Sequence, residues 1–148
     1  MIPYQESDKY GDGSTFTKYS STDGKTVLDL EDDAARANLG GSWKIPTEAQ
    51  FQELLDTANC TKAWTTVDGV NGYLFTSKAN GNTLFIPAAG GASDGNVDGA
   101  GIGGGLWFNS LDSSNIEDGR CLKLSSSHGV DVSLYYRYYG YSVRGVVG

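Results

Sequence analysis

The chain has 148 residues, 39% of them hydrophobic and 20% charged, which suits one folded domain and excludes a disordered tail. The net charge of −7, with no cluster of Lys or Arg to offset it, excludes a nucleic-acid phosphate backbone as partner. No apolar run reaches the ~18 residues of a membrane-spanning helix, so no membrane insertion is expected.

Residues 1–5 lack the basic and apolar regions of a secretory signal. Residues 1–27 are polar and turn-rich, and predict a lead-in with one or two short strands, 15–19 and 26–28. Residues 30–39 read as a helix capped by Asp29 and stopped by Gly40-Gly41. Glu31, Asp32 and Asp33 then fall at the positive end of its dipole. A calcium loop is the other reading of these acids, but no alternating ligands follow them. Residues 42–46 are extended. Thr47 begins a second helix, with Gln50 completing a capping box and Phe51, Leu54 and Leu55 at helical spacing. Its end is expected near Ala58-Asn59.

Beyond residue 60 the helical period vanishes. Residues 72–77 and 82–87 predict a hairpin around Asn80-Gly81. Residues 88–105 form a long, Gly-rich, nearly uncharged loop, too long to be a plain connection. It lacks the Lys and the following helix of a phosphate cradle. Strands are then expected at 106–110, 120–125, 130–133 and 141–147. Helices early and antiparallel strands late predict an α+β fold in a single domain, 1–148.

Chemistry-bearing residues are few. Cys60 and Cys121 are the only cysteines, and their spacing does not decide between a disulfide and two thiols. With His128 as the lone histidine, a zinc site lacks ligands. No nucleophile, base and orienting acid fall into a recognisable pattern. No enzyme activity, cofactor or metal is therefore expected. Five of nine tyrosines fall at 135, 136, 138, 139 and 141. Strand side chains alternate, so these cannot all enter one core. Tyrosine offers a rigid, amphipathic contact area at low entropic cost, the property of adaptable binding surfaces. The plainer alternative packs Tyr138 inside and leaves the rest as ordinary surface. Trp43, Trp64 and Trp107 have apolar neighbours and are expected in the core.

The run Gly41-Ser42-Trp43-Lys44-Ile45-Pro46-Thr47-Glu48-Ala49-Gln50-Phe51-Gln52-Glu53-Leu54-Leu55 resembles the signature of Fibrobacter-type major paralogous domains. These are C-type lectin-like modules of gut bacteria and their phages. Val70-Asn71-Gly72-Tyr73, Asn80-Gly81-Asn82, Phe85-Ile86-Pro87-Ala88-Ala89-Gly90 and the ending from Arg137 to Gly145 match as well, so that the likeness covers roughly 28–147. It implies a C-type lectin-like fold of two helices, an irregular antiparallel sheet and long Gly-rich loops. The formylglycine-generating enzymes share that fold, but their reactive-thiol setting has no counterpart around Cys60 or Cys121. The Glu-Pro-Asn or Gln-Pro-Asp and Trp-Asn-Asp strings of calcium-dependent sugar lectins do not occur.

The C-terminal half is similar to the variable proteins of diversity-generating retroelements. There, randomised AAC codons never yield Lys, Glu, Gln, Met or Trp. Those five types total 16 in residues 1–105 and are missing from 124–148. Glu117 and Lys123 stand outside the pattern, and Leu106-Trp107-Phe108-Asn109-Ser110 departs from the family's usual Tyr-Trp-Ser-Ser-Ser. The resemblance implies a variable region of about 106–141. Its ligand-contacting residues would be Phe108, Asn109, Arg120, Ser125, His128, Asp131, Ser133, Leu134, Tyr135, Tyr136, Tyr139 and Tyr141. Arg137, Gly140, Val143 and Arg144 would belong to the fixed scaffold, the two arginines making structural hydrogen bonds. The implied function is that of a receptor-binding, adhesin-type domain. Its partner would be a protein or glycan receptor, and its location a phage tail fibre or a bacterial cell surface. A non-diversified structural or carbohydrate-binding module is the alternative.

Overall fold

A computed structural model describes residues 15–148, and the turn-rich stretch 11–14 lies outside them. The predicted strands 15–19 and 26–28 do not form. Only single bridges occur there, such as Val27 to Ser110. Helix α1 (Ala34–Leu39) starts later than the sequence suggests. Its cap is Asp33, not Asp29, and the buried Asp33 carboxylate accepts from Arg36 N at 3.0 Å and from Ile45 N at 2.7 Å. One carboxylate thus closes the helix and ties down the strand that follows it. Gly40 ends the helix with φ 68°, as its position implied.

The other acids leave the helix. Asp29, Glu31 and Asp32 converge on Lys18, whose ammonium lies 2.6–2.8 Å from all three. That ammonium fills the position where a cation would sit. Asp29 hydrogen bonds pull the Lys18 pKa up, and Lys18 holds the Asp29 carboxyl below its ordinary range. Tyr19, fully buried beside them, donates to Asp32 at 2.6 Å. Burial first, and that bond second, push its phenol up to about 12.

Strand β1 (Trp43–Lys44) leads into α2 (Glu48–Leu55), where Thr47 and Gln50 form the expected capping box. The helix stops at Asp56, short of Ala58-Asn59. Next come β2 (Cys60–Val67), β3 (Val70–Ser77) and β4 (Thr83–Pro87), an antiparallel sheet in that order. The β3–β4 hairpin is the one predicted around Asn80-Gly81. Strand β2 was not foreseen. It turns into β3 through Asp68-Gly69, both at positive φ, the primed turn that suits the twist of two strands.

The Gly-rich segment is not a loop. It folds as hairpin β5 (Gly91–Ser93) and β6 (Asn96–Asp98), again over an Asp-Gly turn at positive φ. Strands β7 (Gly103–Leu111), β8 (Asp118–Ser125) and β9 (Gly129–Tyr136) make a second three-stranded antiparallel sheet. The expected last strand shrinks to β10 (Val146–Val147), paired with β1. Two helices and mostly antiparallel sheets give the α+β class.

Alternation along the strands builds the core. Tyr73 and Phe75 of β3 and Ile86 of β4 face Leu106 and Phe108 of β7 and Leu122 and Leu124 of β8. Helix α2 adds Phe51, which stacks on Phe108 at 4.9 Å. Trp64 joins the rim of this core against Tyr73, whereas Trp43 lies outside it and is 39% exposed. Replacing Asp33 with Ala removes a cap and leaves the Ile45 N–H unpaired. It is expected to cost about 2–3 kcal/mol in urea unfolding, and a cost under ~0.5 kcal/mol would contradict this account of α1.

Candidate functional site

The pleat divides the expected contact residues between two faces of the β7–β8–β9 sheet. Cross-strand pairs Leu106 with Leu122 and Leu122 with Val132 define the inner face, which meets the core. Phe108 lies there, 3% exposed, and is a core residue rather than a ligand contact. Arg120, its side chain 31% exposed, has the inner-face parity and is engaged by the scaffold. It pairs with Glu48 at the start of α2 at 2.8 Å and with the buried Asp112 at 3.2 Å. The bond to Glu48 above all pulls the Arg120 pKa up. Ser114, donating at 2.5 Å, and then Arg120 hold the Asp112 carboxyl below its ordinary range. Leu134 shares this face but runs past the core and stands 42% exposed at the rim.

The outer face carries Gly105, Trp107, Gly119, Cys121, Lys123, Ser125, Asp131, Ser133 and Tyr135, as the pairs Trp107 with Cys121, Lys123 with Asp131 and Gly119 with Tyr135 require. Four of the expected residues, Ser125, Asp131, Ser133 and Tyr135, therefore share one surface. His128 is exposed in the β8–β9 turn, its Nδ1 2.7 Å from Ser127 Oγ. Asn109 is half-buried, and its backbone bridges to Pro46 and Leu28. The cysteines are unbonded, and burial pushes the Cys121 thiol up to about 12.

The segment after β9 folds back over this surface. Arg137 anchors it, donating to the carbonyls of Lys18, Tyr19 and Ile116 at 2.9–3.3 Å and lying over the Phe16 ring. This is the structural role expected of it. Arg144 is instead exposed, and no side-chain hydrogen bond ties it to the described residues. Gly140 exchanges two backbone bonds of 2.9 Å with Ala92 of β5, and Ser142 bonds Gly105 and Trp107 of β7 at 3.1 Å. Tyr141 is thereby held between the hairpin and the sheet. A methyl group on Gly91 would lie 2.5 Å from one edge of its ring, and one on Gly105 2.7 Å from the other. The glycines make a slot, and the ring fills it. Trp107 closes the side at 5.2 Å, itself seated over the bare backbone of Gly119.

From Tyr141 the rings run outward. Tyr135 meets Tyr141 edge-on at 5.2 Å and Tyr139 at 5.6 Å. Tyr139 stacks with Tyr138, and Tyr138 with Tyr136 at 5.3 Å and 7°. Tyr141 is the anchored end, its phenol pKa raised by burial and then by Tyr135. Tyr136 is the free end, 46% exposed. Tyr138 does not pack inside but is half-buried within the stack.

Beside the tyrosines lies a cleft of about 540 Å³ between the β5–β6 hairpin and the sheet. Ser93, Asp94, Asn96 and Asp98 line one wall, and Lys123, Ser125, Tyr135, Tyr139 and Tyr141 the other. Its size is that of a small-molecule or side-chain site, roughly 300–1,000 Å³. The sequence reading missed Lys123 and the whole hairpin wall. The Asp94-Gly95 pair was the available signal for that hairpin.

Compared with known proteins, the chain matches no family model, no curated protein and no solved structure. Among the described residues, no helix is long and apolar enough to cross a membrane.

Replacing Gly105 with Ala puts a methyl group against a ring that Gly91 blocks from retreating. The variant is expected to lose roughly 1–3 kcal/mol in urea unfolding, with a changed near-ultraviolet dichroism of the aromatic stack. An unchanged midpoint and spectrum would mean that the slot is not tight.

Proposed function

We infer that this domain is a ligand-binding module of the C-type lectin-like class whose contact surface is the tyrosine stack and the cleft beside it. The observation that carries the reading is the stack itself. Tyr135 stands on the outer face of a sheet whose inner face is packed, and the rings of Tyr136, Tyr138, Tyr139 and Tyr141 continue from it at the end of β9 and in the segment beyond, anchored at Tyr141 and open at Tyr136. Large rigid rings half in water, on a frame that does not need them for its core, form a surface primed for a partner. The resemblance to variable proteins of diversity-generating retroelements gives the arrangement a purpose. Exposed positions on β9 and the turn after it can change from copy to copy while Arg137, Gly140 and Tyr141 keep the frame. The absence of Lys, Glu, Gln, Met and Trp from 124–148 supports that diversification.

The partner on this reading is a protein or glycan receptor, and the domain acts at the tip of a phage fibre or on a bacterial surface. It binds and does not catalyse. The thiol of Cys121 is buried and held in its protonated form, and the His128 imidazole, in an exposed turn, lies against the neighbouring Ser127 hydroxyl.

Tyr135 touches Tyr141 and Lys123, so the test spares it. A chain with Tyr136, Tyr138 and Tyr139 all replaced by Ser is expected to keep its far-ultraviolet circular dichroism and its urea midpoint. On an array of cell-surface proteins and glycans it should lose at least ~30-fold in affinity for whatever the unaltered chain binds, the worth of one central aromatic contact. Undiminished binding, or an unfolded variant, would count against the reading.

A further inference from the structure

The β5–β6 hairpin faces the opposite way from a packed element. Gly91 pairs with Asp98 and Ser93 with Asn96, so these four residues share one face. Gly91 lies on the Tyr141 ring, so that face looks onto the tyrosines. Val97 points from the reverse face and is 64% exposed. Burial alone would put the valine inward and the polar side chains in water. The hairpin instead turns its serine, amide and carboxylate toward the cleft, an orientation that serves an occupant rather than the core.

Resting on the reading of this face as a binding surface, we propose that the cleft takes a guanidinium group, an arginine side chain presented by a protein receptor. Asp94 and Asp98 stand against a single ammonium, Lys123, and neither carboxylate is in an ion pair among the described residues. The cleft is therefore net negative, on a chain of net charge −7 that draws cationic partners. Lys123 is already engaged. Its Nζ is bonded to the Tyr135 hydroxyl at the edge of that ring. Tyr139 lines the same cleft. A planar guanidinium can lie on an aromatic ring while its N–H fork reaches a carboxylate. An ammonium has no plane to stack, and a neutral sugar leaves both carboxylates without counter-charge.

The test is a nuclear magnetic resonance titration of the ¹⁵N-labelled chain. The probes are N-acetyl-arginine methylamide, its lysine and alanine counterparts, and a methyl glucoside. The arginine probe is expected to shift the amides of Asn96, Asp98 and Ser125 saturably and more tightly than the lysine probe. The alanine probe and the glucoside should leave them in place. Replacing Asp94 and Asp98 together with Asn should weaken the arginine probe about tenfold, the worth of one charge-assisted hydrogen bond. Asn tolerates the positive φ of residue 94, so the hairpin survives the exchange. A cleft that ignores arginine, that is saturated by the glucoside, or that binds arginine equally after the double exchange overturns the proposal. If array binding still depends on the tyrosines while the arginine probe is silent, this ligand assignment fails and the broader reading stands.

Discussion

One ring between two glycines organises the outer half of this molecule. Tyr141 lies where a side chain on Gly91 or Gly105 would lie, with its neighbours Gly140 and Ser142 hydrogen-bonded to β5 and to β7. Backbone bonds on both sides fix the position along the chain, and the missing Cβ atoms admit the ring. Neither suffices alone. The bonds without the slot would leave a large apolar ring in water, and the slot without the bonds would leave the last dozen residues to be ordered against their own entropy.

The consequences run outward from that clamp. Because Tyr141 is held, Tyr135 and Tyr139 have a fixed edge to lean on, and Tyr138 and Tyr136 continue the stack toward solvent. Because the hairpin is held by the same residue, its polar face stands at a set distance from Lys123 and Ser125, and a cleft remains between them. Arg137 secures the other end of the segment against backbone carbonyls, a contact that makes no demand on the side chains between. Tyr138 and Tyr139 thus lie between two inflexible positions, Arg137 and Tyr141, beside a sheet whose opposite face is committed to the core.

Local signals were legible in the sequence to the extent that local chemistry decides the structure. The capping box at Thr47 and Gln50, the stop at Gly40 and the turn at Asn80-Gly81 each act within a few residues, and each is present. Asp33 shows the limit. The sequence offers four acids near the start of α1, and the winner is the one whose second oxygen reaches Ile45 N, a partner 12 residues away. The acids it displaced answer to Lys18, equally distant in sequence. The Gly-rich segment was misjudged for a related reason. Gly91, Gly104 and Gly105 are small because Tyr141 and Gly90 approach them, and such approaches leave no trace in composition except the glycines themselves. Phe108 and Arg120 sit in strands where inside and outside differ by one residue, so their faces waited on the register of β7 and β8.

The central claim is that the frame stands without the outer rings. It is tested most directly by native-state hydrogen exchange at the Gly140 and Ser142 amides, whose bonds to Ala92 and Gly105 flank Tyr141, in a chain carrying serine at 136, 138 and 139. The account predicts protection equal to that of the unaltered chain at both amides. Exchange there as fast as in the exposed turn at Ser127–His128 would contradict it, since the clamp would then depend on the stack it is said to support.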